Sequence, residues 1–184
     1  MATRQRRIAL VTGANKGIGF ETARQLAREG FRVFIGARDE KAGEAAAEKL
    51  RAEGARTKDK SDDEIEFLKI DIAKPESIRS AAEEFSRSTD RLDVLINNAG
   101  ILLDDDKDIL TTTPEIFENT LRTNTLGALL VSQAFVPFLK NSDAPADREC
   151  VQRRRPIDRR RRRLGAGLLH FQNRDQRRHR SARR

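Results

Sequence analysis

Residues 11–20 read VTGANKGIGF, which sets Gly13, Gly17 and Gly19 between a short apolar run and a stretch of helical period that starts at Ile18. Glycines at such a turn permit a tight backbone and let main-chain amides approach a pyrophosphate, which the following helix N-terminus favours electrostatically. The spacing is T-G-x-x-x-G-x-G rather than G-x-G-x-x-G, and a purely structural turn is the competing reading. Two cations could complete a phosphate site: Lys16 inside the loop, and Arg38 after FIGA. At the end of a second strand an arginine accommodates the 2′-phosphate of NADP, whereas a carboxylate binds the ribose 2′-hydroxyl of NAD. Asp39 follows Arg38 and argues for NAD, unless it starts the next helix, where an acid suits the dipole. If the loop holds a dinucleotide, NADPH (NADP+) is the expected one, with a solvated surface arginine as the alternative for Arg38.

Positioning these residues requires alternating elements. Short strands are expected at 7–11, 31–37, 65–71 and 92–97, and helices at 18–30, 39–54, 75–88 and 114–139. Pro75 and Pro114 sit in first-turn positions, where proline is favoured. Residues 55–64 are polar and without period, as a surface loop would be. Four strands separated by helices predict an α/β fold, the N-terminal half of a doubly wound parallel sheet of Rossmann type.

Composition divides the chain near residue 150. Residues 150–184 hold 14 arginines, no lysine and two acids, a net +12, which leaves −4 for residues 1–149 of a chain carrying +8. Cys150 is the sole cysteine, so an intrachain disulfide and a cysteine-based metal site are excluded. His170 and His179, the only histidines, lie in the basic segment. The apolar run near the start, residues 8–11, is too short for an export signal, and no stretch reaches membrane-spanning length. A cytoplasmic protein without membrane or metal partners is expected; the acids at 104–106 read as a solvated loop.

Four motifs in order, Thr12-Gly13-Ala14-Asn15-Lys16-Gly17-Ile18-Gly19, Asp71, Asn97-Asn98-Ala99-Gly100 and Asn124, resemble those of the short-chain dehydrogenase/reductase family. The wording TGANKGIG with LDVLINNAGI is most similar to its carbonyl reductase branch, over about residues 5–140. The resemblance implies that Thr12, Gly13, Asn15, Lys16, Gly17, Ile18 and Gly19 hold the cofactor pyrophosphate, with Arg38 at the 2′-phosphate. It places Asp71 and Ile72 at the adenine, lines the adenosine side with Asn98, Ala99 and Gly100, and makes Asn124 the catalytic residue that anchors a proton-relay water. It further implies NADPH-dependent reduction of a small carbonyl compound. Without it, Asp71 reads as a loop or helix-cap carboxylate, and Asn124 as a buried polar group bonded to backbone.

The family's proton donor is a tyrosine in Tyr-x-x-x-Lys, assisted by a serine on a fifth strand, with the lysine lowering the tyrosine pKa. This sequence has no tyrosine, and no lysine follows Lys140. Fourteen arginines without a lysine suit a GC-rich gene read out of frame better than a selected basic arm. Sliding the codons by one base permits Tyr at the junction of Leu168 and Leu169, then Ser, Thr, Ser, and Lys or Arg at Gln172 and Asn173. The hidden string is YSTSKTAINAVT, which has the family spacing; the serine strand is not recovered.

The expected organisation is therefore an incomplete dinucleotide-binding domain over 1–140 and a frameshifted, disordered basic tail over 141–184, in an inactive product. The apolar helix at 114–139 would then expose much of its surface. Two rival readings are a non-catalytic NADP-binding module and unspecific nucleic-acid binding through the tail. The latter has one aromatic residue, Phe171, to stack on bases. Substrate and oligomeric state are not legible.

Overall fold

Ile8–Thr12 (β1) is buried along its whole length, as a strand covered by helices on both faces must be. In the computed structural model, which describes residues 6–54, 65–102, 110–142 and 150–152, β1 is the middle of a five-stranded sheet. The elements follow in the expected alternation: α1 (Gly17–Arg28), β2 (Arg32–Ala37), α2 (Glu40–Gly54), β3 (Ile65–Lys69), α3 (Pro75–Ser88) and β4 (Val94–Asn97). After these come α4 (Pro114–Leu121), a π-helical turn (Arg122–Gly127), α5 (Ala128–Lys140) and β5 (Cys150–Gln152). The strand order is β3-β2-β1-β4-β5 and each pairing is parallel.

Alternation along β1 feeds two cores. Ile8 and Leu10 join Phe34, Leu68, Leu95 and the inward residues of α3 and α5 on one face. Ala9 and Val11 join Val33, Ile35, Ala23 and Leu50 on the other, under α1 and α2. The first core centres on Phe85, whose ring lies 4.7 Å from Phe34, 5.4 Å from Phe135 and 5.0 Å from Phe138.

At the N-terminal edge of the sheet, one buried carboxylate joins three distant parts of the chain. Asp93 accepts from the Ile8 amide at 2.7 Å and from the Ser142 hydroxyl at 2.6 Å, and lies 3.4 Å from Arg91 Nε. Arg91 in turn donates to the Arg6 carbonyl at 2.6 Å. A buried carboxylate requires such a set of partners to offset its lost hydration.

Three expectations change. The single helix expected at 114–139 is interrupted by the π-helical turn, within which two close contacts are made. Asn124 reaches the backbone of Ile101, and Gly127 lies so close to the Ile72 carbonyl that a Cβ would meet it at 2.5 Å. Next, the sheet has a fifth strand at Cys150–Gln152, within the segment expected to be disordered, paired along β4. Strand pairing is a main-chain interaction, so it does not require the side chains a buried strand normally has. Finally, α5 is less exposed than expected: Ala128, Val131, Phe135 and Leu139 are buried, while Leu129 and Val136 remain open to solvent. Of the expected tail over 141–184, residues 143–149 and 153–184 lie outside the described residues, as do the acids at 104–106.

Candidate functional site

Because all strands run in parallel, the C-terminal ends of β1 to β4 share one edge, where the sequence motifs meet. The strand order reverses between β1 and β4, and in open α/β sheets such a reversal opens a crevice for ligands. The glycine loop lies directly beside it.

Thr12 ends β1 with its side chain buried. Its hydroxyl accepts from the Asn98 and Ala99 amides, each at 3.1 Å, and donates to the Ile96 carbonyl at 3.3 Å. Asn98 answers with its own amide group, which donates to the Thr12 carbonyl at 2.9 Å and the Gly13 carbonyl at 3.2 Å. Loop and NNAG segment thus form one hydrogen-bonded unit. Gly13 has φ +65°, and a Cβ there would stand 2.8 Å from Ala99 Cα, so both conformation and space demand glycine. The Ala14 amide fixes the loop to β2 through the Gly36 carbonyl at 3.1 Å.

The far side of the loop is open. Lys16 is the N-cap of α1, no side chain caps that helix, and its first turn contains no acid. Lys16, Gly17 and Ile18 are exposed, Asn15 is half-buried and Gly19 is buried. Uncapped amides at the start of a 12-residue helix suit an anion. Here the residues fit a dinucleotide pyrophosphate: a glycine cradle, free helix amides and a lysine at one turn.

Arg38 follows β2, is exposed and makes no ion pair or hydrogen bond among the described residues. Its neighbour Asp39 accepts from the Ala42 amide at 2.8 Å and so caps α2. The acid that appeared to argue for NAD therefore has a structural task.

Asp71 is half-buried. Its Oδ1 accepts from the Ala73 amide at 3.1 Å, its Oδ2 lies 4.0 Å from Lys74 Nζ, and its own amide donates to Ser77 Oγ at 2.9 Å. Ile72 is buried in the core shared with α3 and α5. Ala99 and Gly100 continue from Asn98 at the crevice. Asn124 accepts from the Ile101 amide and donates to the Ile101 carbonyl, both at 2.8 Å. Both backbone-bonding alternatives, for Asp71 and Asn124, are thus realised in the geometry.

Residues that the sequence reading passed over are Ile101, Gly127, Ser77, and the Asn97–Ser132 hydrogen bond of 3.0 Å that joins β4 to α5. Of these, Ile101 ends the quoted string LDVLINNAGI and Asn97 opens the NNAG motif, but neither was given such a contact. Among the described residues no three His, Cys, Asp or Glu side chains cluster to hold a metal ion, and no helix is long and apolar enough to cross a membrane.

Comparison with known proteins matches residues 7–145 to the family described as short chain dehydrogenase. The chain is 40% identical over 161 residues to (+)-neomenthol dehydrogenase of Arabidopsis thaliana, covering 79% of this chain and 53% of that one. Menthone neomenthol reductase from Mentha piperita superposes with a TM-score of 0.69 at 29% identity, covering 80% of this chain and 60% of its own. The Pseudomonas aeruginosa RhlG/NADP active-site complex superposes at 0.67 and 30% identity, covering 76% and 50%. The chain spans about half the length of the curated relatives it matches.

Proposed function

This chain belongs to the short-chain dehydrogenase family, and we propose that its folded part binds NADP(H) in the crevice between β1 and β4. Bound NADPH supplies a hydride, which in a protein of this class goes to a small carbonyl compound. The observation that carries the NADP reading is the pair of cations, Lys16 and Arg38, whose side chains have no partner among the described residues, with Asp39 turned to capping α2. An arginine is suited to a phosphate dianion, and a carboxylate committed to a helix cap does not compete for the ribose.

The glycine loop, with Gly17, Ile18 and Gly19 at the start of α1, holds the pyrophosphate, and Asn15 borders it. Thr12 and Asn98 shape that loop rather than touch the cofactor, since their polar groups are spent on each other's backbone. Asp71 and Ile72 border the adenine, Ala99 and Gly100 the adenosine side. Asn124 has its amide group committed to Ile101, so an anchoring role toward a proton-relay water falls to its main chain.

The 184-residue polypeptide lacks tyrosine altogether, and with it the family's acid. We therefore infer that 1–140 is an incomplete dinucleotide-binding domain and that 141–184 is read in a shifted frame. The family match ending at residue 145 supports this. A cytosolic setting, where NADPH is used reductively, suits the sole cysteine.

Calorimetric titration of the full chain with NADP+ and NAD+ tests the reading. Tighter NADP+ binding without NADPH oxidation by aldehydes, ketones or quinones is expected; tighter NAD+ binding or carbonyl turnover would overturn it.

A further inference from the structure

Beyond Arg38, the corner where β2 and β3 end carries an ion pair that the cofactor-binding reading does not use. Lys69 is the parallel partner of Ala37, the residue before Arg38, and the Ile70 amide bonds the Ala37 carbonyl at 3.0 Å. Glu40, two residues after Arg38, opens α2. Lys69 Nζ lies 2.9 Å from Glu40 Oε2, with both side chains more than half exposed, at 58% and 64%. Arg38 thus stands two residues before one member of this ion pair, and directly after the strand partner of the other.

An exposed ion pair contributes little to stability, so its interest lies in its position. Were Glu40 unpaired, the first turn of α2 would carry a free carboxylate two residues after Arg38. That is the charge arrangement that suits a ribose hydroxyl and opposes a phosphate. We propose that Lys69 is a specificity-determining residue, which neutralises Glu40 so that Arg38 can take the 2′-phosphate of NADP. The proposal rests on the NADP reading given above. The hydrogen bond from Lys69, ahead of its charge, holds the Glu40 carboxyl below its usual range, and Glu40 raises Lys69 in return, consistent with a formed pair.

The test is calorimetric titration of the full chain and its variants with NADP+ and with NAD+. Lys69→Met should weaken NADP+ binding roughly three- to ten-fold, the size expected for exposing one carboxylate to a phosphate dianion across solvent. NAD+ binding should change less than about two-fold, since the added repulsion acts on the 2′-phosphate it lacks. Adding Glu40→Gln to Lys69→Met should restore NADP+ binding, a rescue that a purely structural role would not produce. Lys69→Gln, which keeps a polar head, should repeat the loss and guards against a packing effect in the methionine variant. Equal weakening of both dinucleotides, or failure of Glu40→Gln to restore, would overturn the proposal alone. A wild-type chain that binds neither dinucleotide would overturn the NADP reading and this proposal with it.

Discussion

Thr12 sits at the centre of the candidate site without facing its open side. One hydroxyl serves three main-chain groups, the amides of Asn98 and Ala99 and the carbonyl of Ile96. Thr12→Val keeps the shape and strands both amides, at about 1–3 kcal/mol for each group left unpaired. Urea unfolding should show the loss, and Thr12→Ser should recover most of it; an unchanged midpoint for the valine variant would refute the assignment. The sequence suggested a cofactor contact for Thr12 and gave no sign of these bonds, because a partner 86 residues away leaves no trace in local spacing. Asp39 shows the reverse case. Its ambiguity came from two roles for one carboxylate, and the bond it accepts from the Ala42 amide is the one a helix cap makes. Gly13 was legible from the outset, since few residues other than glycine fit a positive φ beside another backbone.

At the level of elements, the first four strands and the first three helices were readable because each has a simple signature. Buried runs mark the parallel strands, and proline or glycine marks the helix ends. The π-helical turn was not readable. A single π-helical turn barely alters the apolar period of a long helix, and its contacts with Ile101 and Ile72 come from other elements. Asn124→Ala should leave the Ile101 amide and carbonyl without their partner. We expect a loss of about 1–3 kcal/mol and faster hydrogen exchange at the Ile101 amide than in the wild type. Exchange at Ile101 unchanged from wild type would mean that the clamp does not hold in solution. The fifth strand was equally hidden, since the Cys-Val-Gln side chains carry no strand signature beyond the central valine.

On the scale of the molecule, the two faces of the sheet are unequal in what they leave open. Phe117, Leu121, Leu126 and Leu129 are 59%, 45%, 46% and 53% exposed along α4, the π-helical turn and α5. Such a patch favours association in water. Phe117→Glu with Leu129→Glu should reduce concentration-dependent self-association in sedimentation while shifting the unfolding midpoint little, since surface changes usually stay within about 0.5 kcal/mol. The sequence anticipated an open apolar helix and overstated it, because Phe135 packs on the Phe85 ring of α3 and Val131 lies in the same core, contacts of long range. The Asp93 junction bears on when this fold can close during synthesis. Ile8 leaves the ribosome early, but the carboxylate that receives its amide follows 85 residues later, and the hydroxyl that completes the set is on Ser142. At about 5–20 residues per second, β1 waits on the order of ten seconds with its β4 side unzipped. The last residue this closure needs is Ser142, so translation past that codon, in whichever frame, finds the junction's partners already made.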